Sequence, residues 1–334
     1  MRAVMITRFG RAEDVAEVVD VPAPGAPGPG QVLLNILAAP INPSDFLVFQ
    51  GRFGASPPSL PAKAGGEAVG EVVAVGPGVD NLQPGDRILA LHAGRGNWRQ
   101  QVLADAGRAV ALPADVDPLQ LAMLAVNPAT ALHMLTRFMT LQPGEWVLQN
   151  AGTSAVAHCV MRLAKARGIR TINLVRQEAH IGMLLDAGGD VVLMDGMDLA
   201  GRVSAATGGA DIRLGLDAVA GDATGRLASC ITPGGTVVIY GLLSAPSVTL
   251  PAADLVFRDV TLRGYWFTPW FDRASKAELA ETYETLIADV RSGALRVPVV
   301  ATYPMEQIRE ALAHAAQPGR QGKVLLLPNE GSKR

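Results

Sequence analysis

A turn near the middle of the chain carries residue types that could bind the pyrophosphate of a dinucleotide. Residues 146–150 form a short apolar run, and residues 154–167 have apolar side chains at helical spacing. A turn between such a strand and such a helix points backbone N–H groups and the amino end of the helix at an anion. The candidate cofactor-binding residues of this turn are Asn150, Gly152, Thr153, Ser154 and Ala155.

The composition of this turn departs from the usual dinucleotide fingerprint. Gly152 is its one glycine, where the fingerprint has two or three. Ala155 adds a methyl group where backbone would approach a phosphate, whereas Ala157 is small enough for the helix to pack closely on the sheet. An ordinary strand-to-helix turn capped by Ser154 is therefore an alternative interpretation.

Arg176 could decide which dinucleotide binds. The second strand of the predicted unit ends at residues 173–176, where an acidic residue would bind the ribose 2′-hydroxyl of NADH. A guanidinium suits a 2′-phosphate instead, so Arg176 favours NADPH, although the nearby Glu178 would repel that phosphate. A solvated surface arginine is the alternative.

The elements that must position these residues follow two different patterns along the chain. Residues 1 to about 120 contain short β-patterns, such as 31–39, 71–75 and 87–91, closed by turns rich in Gly and Pro. They predict a mostly β domain with a partial barrel. Strand and helix patterns then alternate as far as residue 241, which predicts a doubly wound parallel sheet. A strand, a helix and a strand beyond residue 293 are expected to return to the first domain, so the predicted fold class is α/β.

Composition limits the function classes. The 29 Lys and Arg against 31 Asp and Glu residues give a net charge of −2, which shows no nucleic-acid-binding surface. The two cysteines, Cys159 and Cys230, are too few for a disulfide framework and suit a reducing compartment. The amino terminus lacks the apolar core of a signal peptide, and Asn127 and Pro128 interrupt the most apolar stretch. We therefore expect a cytoplasmic protein without a membrane segment.

Several segments, in order along the chain, resemble one protein family. They are INPSDFLVFQGRFG at 41–54, GGEAVGEVVAVG at 65–76, NPATALHML at 127–135, GGTVVIYG at 234–241 and FRDVTLRGYWFTPW at 257–270. Nearly the whole chain resembles the zinc-free, mitochondrial-type trans-2-enoyl-thioester reductases of the medium-chain dehydrogenase/reductase superfamily, and quinone oxidoreductases share the coarser pattern. The resemblance implies a GroES-like, mostly β catalytic domain at residues 1–120 and 296–334. It also implies a Rossmann cofactor domain, the doubly wound parallel sheet, at residues 121–295.

The resemblance also implies a reaction. In the enoyl reductases, hydride moves from NADPH to the β-carbon of an enoyl thioester, and the α-carbon is then protonated. A tyrosine that follows the QG motif is their proposed proton donor or substrate orienter, but the matching residue here is Phe53. Asn42, Ser44 or an ordered water are alternative donors. Reduction of a quinone or enone, whose oxyanion solvent can protonate, is the alternative activity, and a non-catalytic NADPH-binding protein is a third.

Two further pairs of cofactor-facing residues are implied by the resemblance. Asn127 and Thr130 match a segment that faces the cofactor, although a helix break and a cap would explain the same residues. Tyr240 and Gly241 match the end of a sheet strand beside the dinucleotide.

Aromatic residues near the nicotinamide and the acyl group are implied in the same way. Tyr265 and Trp266 match an aromatic segment at that place, with core packing as the alternative. Trp98 is expected to close the cleft from the first domain, and Lys323, in the terminal GKV motif, either faces the cleft or is solvated.

No metal is expected. Zinc dehydrogenases use Cys, His and carboxylate ligands, whereas the corresponding stretches here carry Asn42 and Gly66–Glu67, and the four-cysteine lobe is absent. The expected partners are a small-molecule enoyl thioester or quinone and a second copy of the chain, paired through strands at 236–241 or 260–265. A carrier of the thioester would need basic residues at the cleft mouth, for which the candidates are Arg95, Arg99, Arg258 and Arg263.

Overall fold

The chain forms two compact units. The computed structural model describes residues 1–90, 96–244 and 247–330. One unit comprises Met1–Val126 and Phe271–Arg334, and the other comprises Asn127–Trp270.

The strands, in chain order, are β1 (Arg2–Ile6), β2 (Ala16–Asp20), β3 (Gln31–Pro40), β4 (Ala62–Lys63), β5 (Val69–Val75), β6 (Arg87–Leu89), β7 (Gln101–Asp105), β8 (Ala111–Leu112), β9 (Trp146–Gln149), β10 (Arg170–Val175), β11 (Val191–Met194), β12 (Ile212–Asp217), β13 (Thr236–Ile239), β14 (Thr261–Gly264), β15 (Val299–Pro304) and β16 (Lys323–Leu327).

The helices are α1 (Ala12–Val15), α2 (Pro43–Phe49), α3 (Pro118–Ala122), α4 (Asn127–Arg137), α5 (Ala155–Ala166), α6 (His180–Asp186), α7 (Leu199–Thr207), α8 (Asp222–Cys230), α9 (Ala252–Val256), α10 (Phe267–Arg273), α11 (Lys276–Arg291) and α12 (Ile308–Ala316), with short 3-10 helices at Ala106–Arg108 and Met305–Gln307. None of these helices is both long and apolar enough to cross a membrane.

Antiparallel pairing organises the first unit. β3 pairs antiparallel with β5, β7 and β16, and its side chains alternate so that Val32, Leu34 and Ile36 enter the core. β15 and β16 pair in parallel and extend the sheet on the β3 side, while β2, β1 and β4 form a smaller sheet. The prediction that the carboxyl-terminal strands return to the first domain is therefore confirmed.

A parallel sheet organises the second unit. Its strand order is β11-β10-β9-β12-β13-β14, and every neighbouring pair runs parallel. All four residues of β9 are buried, as expected for a central strand covered on both faces. The order reverses beside β9, and doubly wound sheets bind ligands beyond the carboxyl ends of the strands at this point. The predicted α/β class with a doubly wound parallel sheet is confirmed.

The units divide at different residues from those predicted. The predicted boundaries fell after residues 120 and 295, whereas the contacts divide the chain after Val126 and after Trp270. The helix α11 lies in the first unit because its Tyr283 side chain is buried there and donates a hydrogen bond from its hydroxyl to the Ala125 carbonyl at 3.0 Å.

Trp98 does not have the predicted role of closing a cleft. Its side chain is fully buried in the core of the first unit and packs on Phe49, with the ring centroids 6.1 Å apart. A Cβ atom at Gly65 would lie 2.4 Å from the Trp98 ring, so glycine makes room for it. The prediction was wrong because an aromatic residue of this size stabilises the core it fills.

Candidate functional site

The predicted dinucleotide turn lies at the carboxyl end of β9. The strand ends at Gln149, and α5 begins at Ala155, which is half-buried. Ser154 is the N-cap of this helix, and its hydroxyl oxygen accepts a hydrogen bond from the Ala157 N–H at 3.2 Å. The turn therefore places the amino end of a 12-residue helix at the ligand-binding edge of the sheet.

Close packing explains the one glycine of the turn. A Cβ atom at Gly152 would lie 3.0 Å from Leu184 Cδ1 and 3.1 Å from the Leu174 carbonyl oxygen. The Gly152 N–H donates to that same carbonyl at 2.9 Å, which fixes the turn against the end of β10. Ala151 has a φ of 49°, a left-handed conformation that costs a non-glycine residue about 1–2 kcal/mol. The turn therefore carries backbone strain at Ala151, directly before Gly152.

A buried network, the Asp217 cluster, joins the ends of β9 and β12. Asn150 Nδ2 donates to Asp217 Oδ1 at 2.6 Å, and Asn150 Oδ1 accepts from the Ala218 N–H at 2.8 Å. The Asp217 carboxylate accepts three further hydrogen bonds, from the N–H groups of Val219 at 2.8 Å and Ala220 at 3.0 Å and from the Thr224 hydroxyl at 2.6 Å. The Asn150 side chain therefore fixes the floor of the crevice at which the strand order reverses.

Arg176 lies at the same edge of the sheet as the turn. It follows β10 directly and is exposed, as is Glu178. An exposed guanidinium at the end of the second strand fits the predicted 2′-phosphate role. That role stays a prediction.

Tyr240 and Gly241 follow β13 at this edge. A Cβ atom at Gly241 would lie 2.6 Å from the Ala218 carbonyl oxygen, so glycine lets the ends of β12 and β13 approach. The buried Tyr240 hydroxyl has no hydrogen-bond partner of ordinary geometry among the described residues. Burial raises the pKa of this phenol above its usual range, and the Ser154 hydroxyl offsets only part of the rise. A neutral, unsatisfied hydroxyl at strand ends is a group that a bound ligand can satisfy.

A second phenol, that of Tyr265, is held by α4. Its hydroxyl lies 2.7 Å from His133 Nδ1, and the His133 ring packs edge-on against Trp270 with centroids 4.1 Å apart. Burial raises the pKa of Tyr265 above its usual range, while Arg137 and a hydrogen bond from Thr130 offset part of the rise. A neutral phenol hydrogen-bonded to an imidazole can donate a proton and recover it.

The other predicted residues of the second unit differ in exposure. Asn127 and Thr130 are buried in the first turn of α4, and Pro128 is tolerated there because its missing N–H needs no partner at a helix start. The predicted helix break is therefore a helix beginning. Thr153 is half-buried in the turn, and Trp266 is 47% exposed directly after Tyr265.

Asn42 belongs to a buried cluster in the first unit. Its backbone N–H donates to Asp45 Oδ2 at 2.8 Å, which closes the first turn of α2. Its Nδ2 donates to Glu67 Oε1 at 2.7 Å, and its Oδ1 accepts from Lys323 Nζ. Lys323 also donates to the Ile41 carbonyl at 2.7 Å. Both heteroatoms of the Asn42 side chain are therefore bonded to the protein, and Lys323 is buried, not solvated.

Glu67 completes this group, the Glu67 cluster, and was not predicted as a functional residue. It is fully buried, and its Oε2 accepts from the Val126 N–H at 2.8 Å. Burial raises the pKa of this carboxyl to about 7, Asp45 adds to the rise, and Lys323, Asn42 and the Val126 N–H offset part of it. The available signal was a charged residue between apolar and glycine positions in GGEAVG.

The remaining predicted residues of the first unit are less deeply buried. Phe53 is half-buried and packs against the core of the unit, and Ser44 is half-buried in the first turn of α2. Among the described residues, no group of three or more His, Cys, Asp and Glu side chains is arranged to hold a metal ion.

The three candidate basic residues that the structure describes have different surroundings. Arg95 lies outside the described residues. Arg258 donates to Asp254 Oδ1 at 2.6 Å and to carbonyls at the end of α8, including that of Ala228 at 3.2 Å. Arg99 is partly buried, which lowers the pKa of its guanidinium, and Arg263 lies over the Phe138 ring at 5.6 Å. The Arg258 guanidinium thus already satisfies a helix end, and a role of these arginines at a cleft mouth stays a prediction.

Comparison with protein families matches both units. Residues 28–114 match the alcohol dehydrogenase GroES-like domain, and residues 155–285 match the zinc-binding dehydrogenase family. These matches agree with the mostly β first unit and the parallel sheet of the second.

Individual proteins match over nearly the whole chain. The mitochondrial enoyl-[acyl-carrier-protein] reductase of Mus musculus is 35% identical over 333 residues, which is 98% of this chain and 88% of that protein. The Escherichia coli quinone oxidoreductase complexed with NADPH has a TM-score of 0.89 at 26% identity, covering 98% of this chain and all of that one. The mitochondrial 2-enoyl thioester reductase heterodimer from Candida tropicalis has a TM-score of 0.86 at 26% identity, covering 98% and 99%.

Proposed function

Because the chain belongs to the medium-chain dehydrogenase/reductase family of oxidoreductases, alongside the mitochondrial enoyl-[acyl-carrier-protein] reductases, we propose that it uses NADPH to reduce the carbon–carbon double bond of a trans-2-enoyl thioester. The observation that carries the proposal is the turn at residues 150–155, which lies where the strand order of the parallel sheet reverses. The 35% identity to the Mus musculus enoyl-[acyl-carrier-protein] reductase over 98% of this chain supports the thioester as substrate.

The residues at this edge of the sheet fit NADPH. The amino end of α5, with Ser154 as its cap, suits the pyrophosphate, and the exposed Arg176 suits the 2′-phosphate. The Tyr240 hydroxyl could form a hydrogen bond with a ligand at this edge. Gly241 lets the neighbouring strand ends lie close together there. Bound NADPH supplies the hydride.

The proton for the α-carbon has to come from another group. Phe53 has no acidic proton, and Asn42 is bonded through both side-chain heteroatoms to Glu67 and Lys323. The enolate formed by hydride addition therefore needs a donor other than these two.

Tyr265 is the donor that we propose. Burial keeps its phenol neutral, and the hydrogen bond to His133 provides a group that can return the proton to the phenolate. Trp266, adjacent and half exposed, offers an apolar surface for the acyl chain. Ser44 is the alternative donor, since its hydroxyl is only half-buried at the start of α2.

Binding and turnover together test the proposal. We expect saturable NADPH binding by nicotinamide fluorescence, weaker NADH binding, and a loss of that preference in Arg176→Ala. Incubation with a crotonyl thioester should then yield the saturated thioester, identified by mass. Failure to bind NADPH would contradict the cofactor assignment, and binding without conversion of any enoyl thioester would contradict the substrate.

Quinone reduction is the second candidate. The observation that favours it is Phe53, because a quinone that accepts hydride forms an oxyanion that solvent can protonate and needs no tyrosine. The structural likeness to the Escherichia coli quinone oxidoreductase supports the same activity. A non-catalytic role has no comparable support.

We further propose a homodimer paired along β14. Of the two predicted strands, β13 lies between β12 and β14, so it is not an edge, whereas β14 ends the sheet with Thr261, Arg263 and Gly264 exposed. Unpaired edge strands favour association. A dimeric mass in light scattering, lost when Leu262 is replaced by proline, is expected. The cytoplasmic location stays a prediction, since the similar reductase of Mus musculus is named mitochondrial.

A further inference from the structure

The chain passes from α3 to α4 through a buried connection. α3 ends at Ala122 and α4 begins at Asn127, and residues 123–125 are at most 1% exposed. Backbone polar groups in a buried connection need partners, because water does not reach them. We call residues 123–126 the crossover.

Two side chains from distant parts of the chain hold the last two residues of the crossover. The Val126 N–H donates to Glu67 Oε2 at 2.8 Å, and the Ala125 carbonyl accepts from the Tyr283 hydroxyl at 3.0 Å. Glu67 and Tyr283 are both fully buried. The end of the crossover therefore depends on these two contacts.

Glu67 is itself held by a continuous line of hydrogen bonds. Its second oxygen accepts from Asn42 Nδ2 at 2.7 Å, and Asn42 Oδ1 accepts from Lys323 Nζ. Lys323 is the first residue of β16, and Asn42 caps α2. The crossover is thus tied to two elements of the first unit through one carboxylate.

The residue that follows Val126 begins the helix with the predicted cofactor-facing residues. Asn127 is joined to Val126 by one peptide unit, about 3.8 Å between Cα atoms. Asn127 and Thr130 occupy the first turn of α4, so a shift of the Val126 N–H moves that turn.

We propose that Glu67 is a positioning residue for the cofactor, which in its carboxylate form holds the crossover and with it the start of α4. The proposal rests on the proposed function in naming NADPH as the ligand affected. We expect Glu67 to act on the cofactor through the Val126 N–H, without touching cofactor or substrate itself.

Protonation of Glu67 weakens one of its two contacts. Both partners, the Val126 N–H and Asn42 Nδ2, are donors, and the carboxyl oxygen that takes up the proton becomes a poorer acceptor that has an O–H of its own to donate. Asn42 cannot turn its amide to accept that O–H, because its oxygen already binds Lys323. Of the charged groups near Glu67, Lys323 favours the carboxylate, and Asp45 and burial oppose it, so that the pKa of about 7 places the change near neutral pH.

The test compares NADPH affinity across pH in three proteins. We expect the wild-type affinity to fall about tenfold between pH 8 and pH 5.5 beyond the fall seen in Glu67→Gln, in which the amide mimics the protonated acid. Glu67→Gln should therefore bind NADPH about tenfold more weakly than the wild type at pH 8 and about equally at pH 5.5. The titration of the NADPH 2′-phosphate affects all three proteins equally. Glu71→Gln, a half-buried glutamate on β5, is the matched control and should follow the wild type.

Hydrogen exchange in the cofactor-free protein gives a second readout that does not depend on the ligand. Amides at residues 123–130 should exchange faster in Glu67→Gln than in the wild type at pH 8, and the difference should vanish at pH 5.5. Tyr283→Phe should loosen the same segment without changing its pH dependence. Equal exchange in wild type and Glu67→Gln at pH 8, or an unchanged pH dependence of affinity, would overturn the proposal. If hydrogen exchange follows the expected pattern but NADPH does not bind, the proposed function is contradicted and the positioning role of Glu67 in the crossover is not.

Discussion

Asp217 and Glu67 are fully buried carboxylates at the centres of their two clusters, but they are satisfied differently. Asp217 accepts four hydrogen bonds, three of them from residues within seven positions of itself. Glu67 accepts two, from residues 25 and 59 positions away. The first carboxylate is satisfied by its own strand-end turn, whereas the second depends on the packing of separate elements and titrates near neutral pH. The difference indicates that a carboxylate satisfied by its own turn suits a fixed scaffold, whereas one satisfied by distant elements suits the pH-dependent positioning that we propose for Glu67.

The same difference explains how much the sequence could predict. The strand patterns, the turn at 150–155 and the return of the carboxyl-terminal strands are local or periodic features, so the fold was predictable. Gly152 and Ser154 have positions fixed by the turn itself. Glu67 could not be assigned, because its partners lie far away in sequence and only the tertiary fold brings them together. Trp98 was misassigned for the same reason, since nothing local distinguishes a core aromatic residue from one facing a cleft.

Removing the Asp217 carboxylate is expected to cause the greatest loss of stability. Asp217→Ala leaves buried donors unsatisfied, so we expect the free energy of unfolding to fall by about 3–4 kcal/mol, measured by urea denaturation. Asp211→Ala, an exposed aspartate next to the start of the same strand, should cost less than about 0.5 kcal/mol. Equal losses of unfolding free energy in the two variants would show that Asp217 contributes no more to stability than an exposed aspartate does.

The pH dependence of stability tests the Glu67 cluster. The pKa of Glu67 is about 7 in the folded chain and 4.5 ordinarily, so the folded state retains a proton that the unfolded state releases between these pH values. Burying the charge costs the fold as a whole free energy, even though the carboxylate makes the two local contacts. The wild-type free energy of unfolding should therefore fall by about 3 kcal/mol, relative to Glu67→Gln, as pH rises from 4.5 to 7, and change little above that. Parallel pH profiles for the two proteins would show that Glu67 does not titrate there.

Tyr265→Phe tests which unit supplies the proton. Without the phenol, we expect kcat for the enoyl thioester to fall about 100-fold, with the NADPH dissociation constant nearly unchanged. Ser44→Ala, the matched loss of a hydroxyl in the other unit, should change kcat less than about threefold. A reversed order of these two effects would assign the proton to the first unit.

Phe53→Tyr tests the source of the proton by adding a hydroxyl in the first unit. A hydroxyl at the position of the family tyrosine should raise enoyl-thioester reduction by up to about tenfold and leave quinone reduction nearly unchanged. The two rates are measured with the same NADPH-absorbance assay. An equal change in both would show that the hydroxyl acts through packing and not through proton transfer.

The smallest effect concerns strain in the dinucleotide turn. Ala151→Gly removes the left-handed alanine but adds backbone freedom to the unfolded chain, so the unfolding free energy should change by less than about 1 kcal/mol. Gly152→Ala would place a methyl group 3.1 Å from the Leu174 carbonyl oxygen and should destabilise the protein more than Ala151→Gly does. Thermal unfolding of both variants measures the difference. The opposite order would mean that the turn can move away from β10.

Reduction of an enoyl thioester with NADPH is the activity that we propose for this chain. We would first measure kcat/KM for a crotonyl thioester and for a small quinone in parallel, with NADPH as reductant and NADH as control. We expect a higher kcat/KM for the thioester, with NADPH preferred over NADH. Turnover of the quinone alone would contradict the proposal and assign the protein to quinone reduction.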